Sequence, residues 1–191
     1  MDEIKQQVVK ENKMGTRPMF PLIVSMALPT MFSMLVQALY NVVDSYFVAQ
    51  VSEDSLTAVS LVFPIQTLLI AFAVGTGVGI NSLVARRLGE KRQEEADNAA
   101  THGLLLGVCN WILFALVGLF GSQPFFAAFT SDAALIKMGV DYMSIVCIFS
   151  FGVFVEINIE KMLQATGNMI YPMIFQLIGA VVNIILDPVF I

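Results

Sequence analysis

Charge is scarce in this chain. Of its 191 residues, 13% are charged, against about 25% in ordinary soluble domains. There is one histidine, His102, which rules out catalytic or metal centres built on histidine pairs. The two cysteines, Cys109 and Cys147, lie in apolar runs without CxxC or ligand-like spacing and read as buried free thiols. No basic patch suits a nucleic acid, so none is expected as a partner. No His, Ser or metal constellation of an intramembrane enzyme is present, so the chain is not read as an enzyme. The first 17 residues are mostly polar, so no cleavable signal peptide of the usual form is expected. Between Pro18 and Val43 no residue is charged.

What fills the chain is apolar. Hydrophobic residues make up 57% of it, and the mean hydropathy is +0.78. A soluble core could not absorb this surface, so lipid is the expected solvent. A helical crossing needs about 20 residues. Five runs are long enough, at about 18–50, 55–83, 99–121, 133–156 and 168–191, and the expected fold is all-α with five transmembrane helices. Between them lie an acidic joint (Val51 to Asp54), a basic loop (Arg86 to Arg92) and a stretch from Gly121 to Asp132 whose Phe125–Phe129 suits the membrane interface. A last break falls at Ala165-Thr166-Gly167-Asn168. Lys137 and Asp141, four residues apart, share a helical face and are expected to pair. Nine of the ten lysines and arginines fall on one side, which predicts that residues 1–17 form a cytoplasmic segment.

Asp44 and Asp187 stand out against this background. A carboxylate at the centre of an inserted helix costs roughly 2.5–3.5 kcal/mol on translocon scales. On the first helix Ser33, Gln37, Tyr40, Asn41 and Asp44 follow spacings of three and four, which puts them on one stripe. Such a stripe faces the bundle or a water-filled cavity. On the fifth helix Gln176, Asn183 and Asp187 form a second stripe, with Pro188 directly after it. Two carboxylates in one apolar cavity suit the binding and release of a proton. With Asn183 and a carbonyl freed by proline they would equally suit a sodium ion. Matched depth and chemistry predict that Asp44 and Asp187 share a cavity, with Asn183 beside them and Asn41 near its rim. Pro29 can bend the first helix. Gly75 and Gly79 form a GxxxG pair, which reads as a close helix contact. Glu156 and Glu160 are expected to flank the inner end of the fourth helix as solvated groups.

Met26-Ala27-Leu28-Pro29-Thr30 and Tyr40-Asn41-Val42-Val43-Asp44-Ser45-Tyr46-Phe47 resemble the first helix of the multidrug and toxic compound extrusion (MATE) family. Gly75-Thr76-Gly77-Val78-Gly79-Ile80-Asn81, with Ala85-Arg86-Arg87-Leu88-Gly89, resembles the end of its second helix. Leu163-Gln164-Ala165-Thr166-Gly167-Asn168, Pro172 and Asn183-Ile184-Ile185-Leu186-Asp187-Pro188 resemble its fifth helix and the approach to it. The resemblance covers nearly everything after residue 18. It implies a two-lobed transporter of which residues 18–191 supply helices 1 to 5 of an incomplete six-helix N-terminal lobe. The chain then looks cut in mid-protein, with helix 6 and the C-terminal lobe missing. It also implies an antiporter of the inner (plasma) membrane that exchanges H+ or Na+ for organic, often cationic, solutes. The partners would be membrane lipid, small organic cations or drugs and the missing lobe, with no cofactor besides the coupling ion. Asp44, Asn183 and Asp187 match positions linked to cation coupling, and would be the metal ligands if the ion is Na+. Gln37, Tyr40 and Asn41 are the cavity-lining candidates, and bending at Pro29 would accompany protonation. The alternatives are a lipid-linked oligosaccharide flippase of the same superfamily, or a non-transporting membrane fragment.

Overall fold

A computed structural model describes residue 15, residues 17–51 and residues 53–190. For residues 48–51, 53–55 and 187–190 it describes the backbone alone. The elements are α1 (Met19–Val51), α2 (Glu53–Gly89), α3 (Gln93–Leu116), a π-helical turn (Val117–Gly121), α4 (Ser122–Phe129), α5 (Ala133–Phe149), α6 (Phe151–Ala165) and α7 (Ile170–Phe190). They line up as five rods, because α3 continues through the π turn into α4, and α5 continues into α6 across Ser150. Among the described residues four rods are long and apolar enough to cross a membrane, and Ile170–Leu186 of α7 is a shorter apolar stretch. The chain is an all-α, multi-pass membrane protein.

The rods outrun the apolar runs that announce them. The second helix does not stop near residue 83 but reaches Gly89, so Arg86 and Arg87 stand on its last turn. That placement suits basic side chains, whose charge meets the negative end of the helix dipole. Phe125–Phe129 do not lie in an interfacial loop. They belong to α4, and the Phe126 ring is fully buried. Pro124, which has no N–H to donate, follows directly on the π turn, where the regular helical bonding is already interrupted. The fourth crossing extends past residue 156 to Ala165, so Glu156 and Glu160 lie within α6 rather than beyond it.

α2 is the central rod. One cluster joins its Val62 to Phe126, Met143 and Cys147. A second joins Leu69 and Ala73 to Phe114, Phe154 and Ile157. A third joins Ile80 and Val84 to Ala96 and Ala165. Lipid offers helices no hydrophobic force toward one another, so close packing and small residues carry the contacts. Gly103 lies under Ile80, Gly107 under Asn158, Gly118 under Cys147 and Gly139 under the Phe126 ring. A Cβ on Gly77 would come within 2.8 Å of Lys161 Cγ. Gly75 and Gly79 are different. Among the described residues nothing lies within 4 Å of a Cβ built on either, so the GxxxG pair packs against no described helix. It lines an open groove of about 590 Å³ between α2 and α3, with Arg87, Asn98 and His102.

The joints are made by local chemistry. Gly167 follows α6 with φ 80°, and two bonds close the turn: Gly167 N–H to Gln164 O at 2.9 Å and Asn168 N–H to Leu163 O at 3.2 Å. Asn168 Oδ1 then accepts from Ile170 N–H and starts α7. Asp132 Oδ1 caps α5 from Ala134 N–H at 2.8 Å. At the α2–α3 turn Glu90 binds Arg86 and Arg87 at 3.0 and 2.9 Å, while Glu95 binds Arg87 and Arg92 at 3.2 and 3.1 Å. Below, the end of the bundle that holds this turn and Ala165 is called the basic end. Two local expectations fail. Cys109 is exposed, and only Cys147 is buried. Both Lys137 and Asp141 are exposed, and no ion pair joins them among the described residues.

Candidate functional site

The polar side chains of the spans fall into two groups. The first holds the bundle together. Asn81 Nδ2 donates to Lys161 O at 2.7 Å and Asn110 Nδ2 to Thr76 Oγ1 at 2.9 Å. Lys161 Nζ donates to Glu160 and Gln164 at 3.2 Å each. Asn158 is fully buried and donates to Phe154 O on its own helix. The first two bonds tie α6 and α3 to α2, and interhelical bonds of this kind contribute about 0.6 kcal/mol each; the others lie within α6.

The second group comes from α1, α2, α5, α6 and α7. α1 and α7 pack along one another. Asp44 is half-buried on α1. Its charge is near enough to act on the hydroxyls of both Tyr40, on the same helix, and Tyr142 on α5. The Tyr142 hydroxyl accepts a hydrogen bond from Gln66 Nε2 of α2 at 3.0 Å. Glu156 of α6 acts on Tyr40 as well. From α7 comes Asn183, whose Oδ1 is buried and receives no hydrogen bond from any described residue. A carbonyl oxygen kept from water without a donor costs about 1–3 kcal/mol, so this atom is suited to a protonated carboxyl or a cation. A cleft of about 310 Å³ between α2 and α5, lined by Ala58, Val59, Met138, Asp141 and Tyr142, opens beside this group.

The residues singled out from sequence fare unequally. Tyr40 and Asp44 are half-buried on α1, and Asn183 is half-buried on the adjoining α7. Ser33, of the same stripe as Asp44, is buried. Gln37 and Asn41 are exposed. Pro29 is half-buried inside α1, which stays one helix from Met19 to Val51. The side chains of Asp187 and Pro188 lie outside the described residues, so the expected meeting of Asp44 with Asp187 does too; the backbone of both continues α7. Among the described residues no three His, Cys, Asp or Glu side chains gather as a metal cluster. Tyr142 and Gln66 were missed. The one signal available was that each is a polar residue within an apolar run.

Comparison with known proteins follows the same outline. The MatE family model matches residues 29–189. The chain is 24% identical over 177 residues to a protein named FAD transporter from Shewanella oneidensis, covering 91% of this chain and 38% of that one. It is 26% identical over 176 residues to the multidrug export protein MepA of Staphylococcus aureus, covering 91% and 39%. A solved outward-facing multidrug resistance MATE family transporter of the MOP superfamily superposes with a TM-score of 0.84 at 31% identity, over 88% of this chain and 38% of that one. The chain therefore spans under two-fifths of the length of these relatives.

Proposed function

The chain belongs to the MatE family, and from that premise we propose that it forms the ion-coupling lobe of a secondary antiporter exporting organic cations. The observation that carries this reading is the orphaned, buried Oδ1 of Asn183 on the helix packed along that of Asp44. A proton on Asp44 would supply a donor to such an acceptor, and a sodium ion would use the oxygens of both residues. Either ion would relieve the cost of holding a carboxylate among apolar helices. Tyr40, Tyr142 and Gln66 line the approach and orient the site. Asp187, one turn beyond Asn183 on α7, would be the second carboxylate. Gln37 and Asn41 would meet solute at the rim. Bending of α1 at Pro29 would carry the change of ion occupancy to the rest of the lobe.

In this reading the lobe works against a second lobe, in the inner (plasma) membrane, with the N-terminus and the basic end cytoplasmic. The split of basic residues supports that orientation. The relative named as a multidrug export protein supports the solute class. A second reading, export of a flavin dinucleotide, is favoured by the relative named FAD transporter. The acidic groups around Tyr40 suit a cation better than a dinucleotide anion.

The test uses the full-length protein in liposomes under an imposed proton or sodium gradient. Movement of ethidium driven by one of the gradients, and abolished in Asp44→Asn, is expected. Gradient-driven movement of FAD with none of ethidium would establish the second reading. Ethidium transport that survives Asp44→Asn would overturn the assignment of that residue.

A further inference from the structure

Two of the membrane-crossing rods are broken, and the breaks meet. The rod Gln93–Phe129 passes through the π turn Val117–Gly121, and the rod Ala133–Ala165 passes through Ser150. A π turn is rare, and Gly118 and Gly121 make this one weakly helical. Gly118 lies so close to Cys147, three residues before Ser150, that a Cβ there would collide with the Cys147 side chain. Carbonyls around both breaks take side-chain donors. Ser144 Oγ donates to Gly118 O at 3.0 Å, Trp111 Nε1 to Ile148 O at 2.8 Å and Ser150 Oγ to Cys147 O at 2.7 Å. Cys147 and Ile148 belong to the last turn of α5, whose carbonyls lack helical partners.

The breaks also divide the packing. α4 and α5 share one cluster with Val62 of α2, through Phe126, Met143 and Cys147. α3 and α6 share another with Leu69 and Ala73 of α2, through Phe114, Phe154 and Ile157. Each part is close-packed within itself. In the first, Gly139 lies under the Phe126 ring, and Ser122 Oγ and Ser144 Oγ are 3.2 Å apart. In the second, Gly103 lies under Ile80 and Gly107 under Asn158. α4 and α5 are thus a hairpin, residues 122–149, that the chain joins to the other helices only at the π turn and at Ser150. α2 runs past both clusters as one helix.

We propose that this hairpin is a hinged flap, which tilts as one body about an axis through the π turn and Ser150. A body with two hinges turns freely only if both lie on one axis, and the contact of Gly118 with Cys147 brings them together. Helix breaks of these kinds absorb changes in φ and ψ that an unbroken helix resists. The bond from Trp111 of α3 to Ile148 O crosses from the block to the hairpin and holds it in the position seen. A single interhelical hydrogen bond in lipid is weak enough for the hairpin to leave it. Tyr142 rides on the flap, so tilting strains or breaks its 3.0 Å bond with Gln66 of α2. The flap is a property of the fold and does not depend on the transporter reading.

Distances between paired spin labels in the full-length protein, reconstituted in nanodiscs, test the proposal. The labels sit on p-acetylphenylalanine at exposed positions, which leaves both cysteines native. Phe129 and Ile159 report hairpin against block, Phe129 and Ile145 the hairpin alone, and Leu105 and Ile159 the block alone. Trp111→Phe keeps a ring and removes the donor to Ile148 O. It should broaden or split the first distribution and leave the other two as in the wild type. No change in any pair, or equal broadening of all three, would overturn the flap. Should Trp111→Phe fail to fold, hydrogen exchange in the wild type decides. Amides of residues 117–122 and 150–152 should exchange about tenfold faster than those in the middle of α5, as local opening at the joints requires. Equal rates there would overturn the proposal as well.

Discussion

Gln66 Nε2 donates a hydrogen bond to the Tyr142 hydroxyl at 3.0 Å, joining α2 to α5 across 76 residues of sequence. The bond fixes one of the two tyrosines that Asp44 acts upon. Removing the hydroxyl with Tyr142→Phe leaves the Gln66 amide without its partner in a partly buried place. The expected cost is about 1–2 kcal/mol. Thermal unfolding in detergent measures it, and the double variant Tyr142→Phe with Gln66→Leu should recover part of the loss. A double variant no better than the single one would show that the bond contributes little.

The glycines of the spans should divide sharply under substitution. Gly139→Ala pushes a methyl group into the buried Phe126 ring, which has nowhere to retreat, and should cost about 1–3 kcal/mol. Gly75→Ala and Gly79→Ala meet nothing within 4 Å. Each should be neutral or stabilising by up to about 1 kcal/mol, through helix propensity. Destabilisation by either would mean that a helix does cover this pair.

Gly167 holds a left-handed conformation with φ 80°. Gly167→Ala should cost about 1–2 kcal/mol, because a Cβ crowds the following carbonyl in that conformation. The readout is the unfolding temperature, with Thr166→Ala as a neighbour that should shift it less.

Arg86 first, and Arg87 second, hold the Glu90 carboxyl below its ordinary pKa of 4.5. A carboxylate whose folded pKa is depressed stabilises the fold above its unfolded pKa, and the contribution disappears as pH falls through the folded value. The difference in unfolding temperature between wild type and Glu90→Gln should therefore be present at neutral pH and close on acidification below the ordinary value. A difference independent of pH would contradict the assignment.

Much of the fold was legible because the bilayer imposes a length on every crossing. Five apolar runs gave five rods in the right order. Their ends were less legible, since apolarity marks the lipid and not the helix. Arg86 and Arg87 were read as loop because they are charged, yet a helix end accommodates them well. Glu156 was read as a boundary marker for the same reason. Asp44 and Asn183 were visible as polar residues in apolar helices. Tyr142 and Gln66 were not, because their pairing is decided by how α2 and α5 pack. The GxxxG pair misled because spacing shows that a helix could approach, and only packing shows whether one does.

The central claim is that Asp44 and Asn183 bind the coupling ion. Infrared difference spectra of the full-length protein between acid and alkaline pH, with and without sodium, test it most directly. The account predicts a carboxyl band that appears on protonation, is lost in Asp44→Asn and shifts in Asn183→Leu. If sodium is the coupling ion, its addition should suppress the band. A band unchanged in both variants would contradict the account.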